Sequence, residues 1–215
     1  MNFKILLLNF RKEILPFIRN EETQPKGNNK NNNDDGDDCS DILVVNDSMA
    51  IAAHNEDANV ALVGHTYLIK ATLFDGTTFT AYTYAGELPS CAFGFNSHGV
   101  RISSSEASVG HSYNLVDTRT RRILNVETAS RYRVSVLEVG ETPFFHANMY
   151  LHLHVNQAHD ENSLSRQKRA ASLPKGSKSD YLELLGDMHD KKYPIYMTGM
   201  SRNYENSTLM IASPY

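Results

Sequence analysis

Residues 21–38 contain no aliphatic or aromatic side chain and are dominated by Asn, Asp, Lys and Gly. Such a segment cannot bury enough apolar surface to offset the entropy of ordering it, so it is expected to be a mobile linker. Directly behind it stands Cys39, followed by the β-branched run Ile42-Leu43-Val44-Val45. The packed body therefore starts where the linker stops, with a cysteine at the head of its first strand. If the linker is cut there, Cys39 becomes an N-terminal residue. Its own α-amino group, with a pKa near 8, is then a general base beside the thiol. Nucleophile and proton acceptor would reside in one residue, which removes the need for a separate base.

The chain has 215 residues, enough for one domain with a substantial core. Acidic residues (25) outnumber Lys and Arg (21), and the basic ones form no long run, which argues against a nucleic-acid partner. Two cysteines, Cys39 and Cys91, are too few for a disulfide framework, so a reducing, cytoplasmic setting is expected. Residues 1–18 are apolar but interrupted by Lys4, Arg11 and Lys12. That breaks the continuous apolar stretch of a signal peptide and falls short of the roughly 18 residues of a membrane span. This piece reads as an amphipathic helix packed on the body and ending near Pro16, so no membrane partner is expected.

Further along, Ile42–Val45 reads as a buried strand and Asn46-Asp47-Ser48 as a turn, with a second strand from Met49 to Ala53 delivering His54-Asn55-Glu56-Asp57 at its end. Residues 67–73 and 78–84 form a hairpin around Asp75-Gly76, a strong turn signal. A loop at 86–89 is followed by Ala92-Phe93-Gly94-Phe95 and a turn at 96–99. Residues 113–117, 123–128 and 132–139 read as three antiparallel strands, the first two joined by a basic turn. Residues 162–173 and a segment from Ser179 to a stop at Gly186 read as helices. Serial hairpins flanked by helices give an α+β layered domain.

Several blocks carry a resemblance. Asn9-Phe10-Arg11-Lys12-Glu13 looks like an Asn-x-Arg-x-Glu prosegment stretch, and Cys39-Ser40 like a nucleophile dipeptide. His54-Asn55-Glu56-Asp57 looks like an Asn-x-Asp strand end. Tyr84–Pro89, Phe95–Val100 and Phe145-His146-Ala147-Asn148 follow in the same order. Together they resemble the isopenicillin-N acyltransferase-like and β-alanyl-dopamine hydrolase-like family of cysteine N-terminal-nucleophile (Ntn) hydrolases. The resemblance implies an αββα sandwich, made as a precursor that cuts itself before the cysteine. Four units are expected: a prosegment-helix remnant (1–20), the linker (21–38), an Ntn-hydrolase-like domain (39–199) and a divergent tail (200–215).

The same resemblance makes Cys39 the nucleophile, has Asp57 hold the α-amino group, and offers Asn114 as oxyanion donor. Asn55, His146 and Asn148 are then the substrate-binding candidates. It also implies a small N-acyl amine as substrate, with no cofactor and no metal. The chain departs from the pattern where Asp38 replaces a Gly before the nucleophile. It departs again where residues 101–105 lead almost directly to Gly110-His111-Ser112 instead of into a long helical segment, with elements of the sandwich missing.

Each candidate has a plainer reading. Cys39 and Cys91 could simply pack as small hydrophobes. Asp57 could cap a turn, and Asn114 could be a buried amide satisfied by backbone. His146, His152, His154 and His159 invite a zinc reading, yet His152-Leu153-His154 lacks a closed ligand set. Arg119, Arg121 and Arg122 read as a solvated turn, and Arg166 as a surface residue of its helix. The sequence thus predicts a cysteine amide hydrolase or acyltransferase working through a thioester. The alternative is a catalytically inactive, truncated relative that serves as a binding or regulatory protein.

Overall fold

The computed structural model describes residues 39–59, 62–89, 92–107, 110–130, 132–157, 160–197 and 204–212. The expected N-terminal helix and linker, together with Cys91 and His159, lie outside the described residues. Among the described residues, eleven strands and two helices run in the order β1 (Ser40–Val45), β2 (Ala50–Asn59), β3 (Thr66–Thr72), β4 (Thr78–Tyr84), β5 (Phe93–Asn96), β6 (Val100–Ala107), β7 (Gly110–Asp117), β8 (Arg122–Ala129), β9 (Arg133–Glu138), β10 (Phe144–His146), α1 (Glu161–Ser172), α2 (Lys178–Leu185) and β11 (Tyr204–Ala212). These elements make an α+β protein in which antiparallel sheet dominates.

The strands divide into two sheets. β3 to β9 form a seven-stranded meander in which every strand lies beside its neighbour in sequence. The other sheet has the order β10-β1-β2-β11 and draws its strands from distant parts of the chain. The run Ile42-Leu43-Val44 is apolar without alternation because both faces of β1 are covered. Ile42 and Val44 pack with Ile51, Ala53, Ala170, Tyr181, Leu184, Leu185 and Ile195 on the helical side. Leu43 and Ala52 pack on the opposite face against Val116, Ile123 and Val139 of the meander. Helices, four-stranded sheet and seven-stranded sheet therefore stack as three layers among the described residues.

Local chemistry explains the turns. Asn46 Oδ1 accepts from the Ser48 and Met49 amides and bends β1 into β2. Gly76 (φ 83°) closes the β3–β4 hairpin, where Thr77 N donates to Asp75 Oδ1. α1 starts at Asp160, whose carboxylate accepts from the amides of Asn162 and Ser163. α2 starts at Ser177 in a reciprocal capping box with Asp180 and stops at Gly186.

Two expectations, on His54–Asp57 and on Arg166, are corrected, and two further stretches gain an element. His54–Asp57 do not sit at a strand end; β2 runs through them to Asn59. The Ser-rich stretch after Val100 is the strand β6, leading straight into β7. Arg166 is not on the surface but fully buried. Residues 204–212, expected as part of a tail, pair with β2 as the fourth strand of the inner sheet.

Candidate active site

Strand alternation decides which side chains meet. In the β1–β2 pairing, Asp41 lies opposite His54 and Ser40 opposite Asn55. Cys39, Asp41, His54 and Glu56 therefore share the face turned toward the meander. Ser40, Asn55 and Asp57 share the face turned toward the helices. Cys39 is 2 % exposed, and its Sγ donates to Glu56 Oε2 at 3.7 Å.

Glu56 is held from two further directions. His54 Nε2 donates to Glu56 Oε2 at 2.7 Å, and the Tyr84 hydroxyl, from β4, donates to Oε1 at 2.5 Å. The other nitrogen of His54 donates to Asp41 Oδ1 at 2.8 Å. Carboxylates only accept, so a ring clasped between two of them carries both protons. Burial alone would lower the His54 pKa, but the Asp41 charge and the hydrogen bonds to Asp41 and Glu56 outweigh it and lift the value to about 10. Burial likewise works to raise the Asp41 pKa, yet His54 brings it below the ordinary carboxylate range. Burial, with the Glu56 carboxylate next, pushes the Tyr84 phenol far above its usual value.

From Asp41 a chain of polar side chains crosses between the sheets. Ser103 Oγ donates to Asp41 Oδ1 (3.3 Å), Asn114 Nδ2 to Ser103 Oγ (3.1 Å), and Asn125 Nδ2 to Asn114 Oδ1 (2.7 Å). His152 Nε2 extends it by donating to Asn125 Oδ1 at 2.8 Å. All donors point the same way, toward the Asp41–His54–Glu56 cluster, so each bond polarises the next. Nearby, the buried Glu127 accepts from the amides of Leu151, His152 and Leu153.

On the helical face, Arg166 reaches from α1 to the start of β1. Its Nη1 donates to the Cys39 carbonyl and to Ser40 Oγ, both at 2.8 Å, and its Nη2 donates to Asn148 Oδ1 at 2.7 Å. Asn162 Oδ1 accepts from its Nε. A buried guanidinium is retained only where such acceptors surround it.

The candidate residues thus separate into groups. Cys39 lies in the His54–Glu56 cluster, and Asn114 is linked to that cluster through Ser103 and Asp41. Asp57 is fully buried on β2, one residue past Glu56, on the alternate face from the thiol. Asn55 Nδ2 donates to the carbonyls of Leu185 and Ile195, fastening β2 to the chain after α2. Asn148 meets Arg166. His146 is buried 3.8 Å from Glu127, and burial depresses its pKa. Sequence reasoning passed over Glu56, His54 and Tyr84 as partners of the cysteine. Extending β2 by its period of two would have placed Glu56, rather than Asp57, beside it.

The architecture and site define an α+β protein of two facing antiparallel sheets, with a buried cysteine at the head of an inner strand. Residues 44–108 match the family described as acyl-coenzyme A:6-aminopenicillanic acid acyl-transferase. The matched stretch runs from within β1 through β6 and contains His54, Glu56, Asp57, Tyr84 and Ser103. It supports the kinship read from the sequence over part of the chain, and with it acyl-transfer or hydrolase chemistry on a small molecule. No curated protein matches the sequence. Among the described residues no helix is long and apolar enough to cross a membrane.

Proposed function

We propose that this chain is a cysteine-nucleophile amide hydrolase or acyltransferase of the Ntn type, acting on a small N-acyl amine after cleavage before Cys39. The observation that carries the reading is the position of Cys39. It heads an inner strand, its carbonyl is fixed by Arg166, and its thiol faces a carboxylate 3.7 Å away. Removal of the preceding chain creates the α-amine beside the thiol.

In the proposed reaction the amine takes the thiol proton and the sulfur attacks the substrate's amide carbonyl. The tetrahedral oxyanion collapses, the C–N bond breaks, and the departing amine leaves with the proton. Water or a second amine then opens the thioester. Asn114 is the oxyanion donor of this reading; one such donor contributes about 3 kcal/mol to lowering the barrier. Asp57 steadies the new terminus from the helical face of the sheet. In this reading His146, whose pKa burial lowers, contacts the substrate from between the sheets and Asn148 from the helical face, while Asn55 acts by holding the chain after α2 in place.

Intact-mass measurement of the purified protein is the direct test. A product beginning at Cys39, with turnover of N-acyl amines that vanishes in Cys39→Ala, is the expected result. Turnover retained in Cys39→Ala refutes the assignment. The full burial of Cys39 in the uncut chain favours a second reading, a catalytically silent relative that serves as a binding or regulatory partner. An uncut mass together with no labelling by a thiol probe selects that one.

A further inference from the structure

We infer that Cys39, His54 and Glu56 form a binding site for a thiophilic divalent cation of the zinc class. One donor atom from each lies within 4.8 Å of the others, and all three residues are buried. Cys39 Sγ is 3.7 Å from Glu56 Oε2, and His54 Nε2 is 2.7 Å from that same oxygen. Around a tetrahedral zinc, with sulfur at ~2.3 Å and nitrogen or oxygen at ~2.0–2.1 Å, neighbouring ligands stand about 3.3–3.6 Å apart. The triangle closes on an ion with side-chain shifts on the order of 1 Å.

The surrounding hydrogen bonds are those a metal ligand set requires. Asp41 Oδ1 holds His54 Nδ1 at 2.8 Å and aims Nε2 at the centre, the carboxylate–histidine arrangement found behind zinc ligands. The Tyr84 hydroxyl fixes Glu56 Oε1 and leaves Oε2 turned toward Cys39 and His54. The charges also balance. A divalent ion displaces two protons, one from the thiol and one from His54 Nε2, so the buried cluster keeps its net charge. Sulfur and imidazole select zinc over magnesium or calcium, which demand more numerous oxygen ligands. Three protein donors leave one tetrahedral position open. The histidines at 152 and 154, where the sequence invited a metal, contribute nothing to this site.

This inference does not require Cys39 to be a nucleophile; where it is one, a bound ion holds the sulfur and prevents attack. The test uses the full chain, stripped with a chelator and then titrated with Co²⁺, and separately with Zn²⁺ against a chromophoric chelator. One ion per chain is expected, with a thiolate-to-cobalt charge-transfer band that is lost in Cys39→Ser and kept in Cys91→Ser. Glu56→Gln should weaken binding by at least ~10-fold. Absence of stoichiometric binding, or a band that survives Cys39→Ser, overturns the site. Should Cys39→Ser fail to fold, alkylation of the native chain mapped by peptide mass decides instead. Protection of Cys39 by zinc supports the site, and equal labelling with and without zinc overturns it. Thioester formation is scored separately on metal-free protein, so the metal site can fail while the nucleophile stands, and the reverse.

Discussion

With Asp41 on one ring nitrogen and Glu56 on the other, His54 stays positively charged well past the pH at which an isolated imidazole loses its proton. A folded-state pKa raised from 6.5 to about 10 adds stability that is fully present below pH 6.5 and is lost as pH rises through 10. Asp41 contributes in the opposite direction: its depressed pKa adds stability present above 3.8 and lost as pH falls through the lower folded value. The urea midpoint should therefore decline between about pH 6.5 and 10, and His54→Gln should flatten that alkaline slope. An unchanged slope in the variant would show that His54 is not the group responsible. At this scale the sequence disclosed the cysteine but not its partner. The resemblance gives Asp57 the α-amino group, and the pleat brings position 56 to the thiol. Arg166 was equally hidden, because its acceptors on β1 and at Asn148 lie far off in sequence.

Among the elements, those written in local chemistry were legible. The Asp75-Gly76 hairpin, the Asn96 turn and both helix starts follow from side-chain to backbone bonds a few residues long, and the stop at Gly186 from its own amide bonding back to the Leu182 carbonyl. What escaped was set by tertiary pairing. β6 is built on Ile102-Ser103-Ser104-Ser105, a poor strand signal, and forms because Ser103 and Asn114 lie opposite each other between the sheets. β10 is only Phe144–His146 and exists because β1 offers it an edge. Gly110, at the start of β7, shows how close this packing is: a Cβ there would collide with the Thr128 carbonyl and lie 2.7 Å from the Tyr150 hydroxyl. That hydroxyl donates to the same carbonyl at 2.7 Å. Gly110→Ala should cost about 1–3 kcal/mol, read from denaturant unfolding. A neutral result would mean that the β7–β8 end yields freely.

At the level of the molecule, both helices pack on the four-stranded sheet, so the far face of the meander meets none of the described helices. Val134 and Val136 on β9 are more than half exposed, and Tyr67 on β3 nearly so. This is the side on which the expected αββα stacking calls for a second helical layer. The direct passage from β6 to β7 stands where the resemblance implies a long helical segment. A hydrophobic dye such as ANS should bind the native chain, and replacing Val134 and Val136 by Thr should reduce its fluorescence; no change would place the dye elsewhere.

The two sheets also differ in the length of chain that each strand pairing must close. Every strand pairing within the meander is with a sequence neighbour, whereas β1 and β2, besides pairing with each other, take the distant β10 and β11 as partners. Short closures are fast and distant ones slow. Pulse-labelled hydrogen exchange should find β7 and β8 protected before β1 and β2; simultaneous protection would discard that order. Cys39 then reaches its final surroundings only after α1, which carries Arg166, has been synthesised. The topology itself serves as a timer, delaying any reaction at that sulfur until the helical layer has closed over the strand it heads.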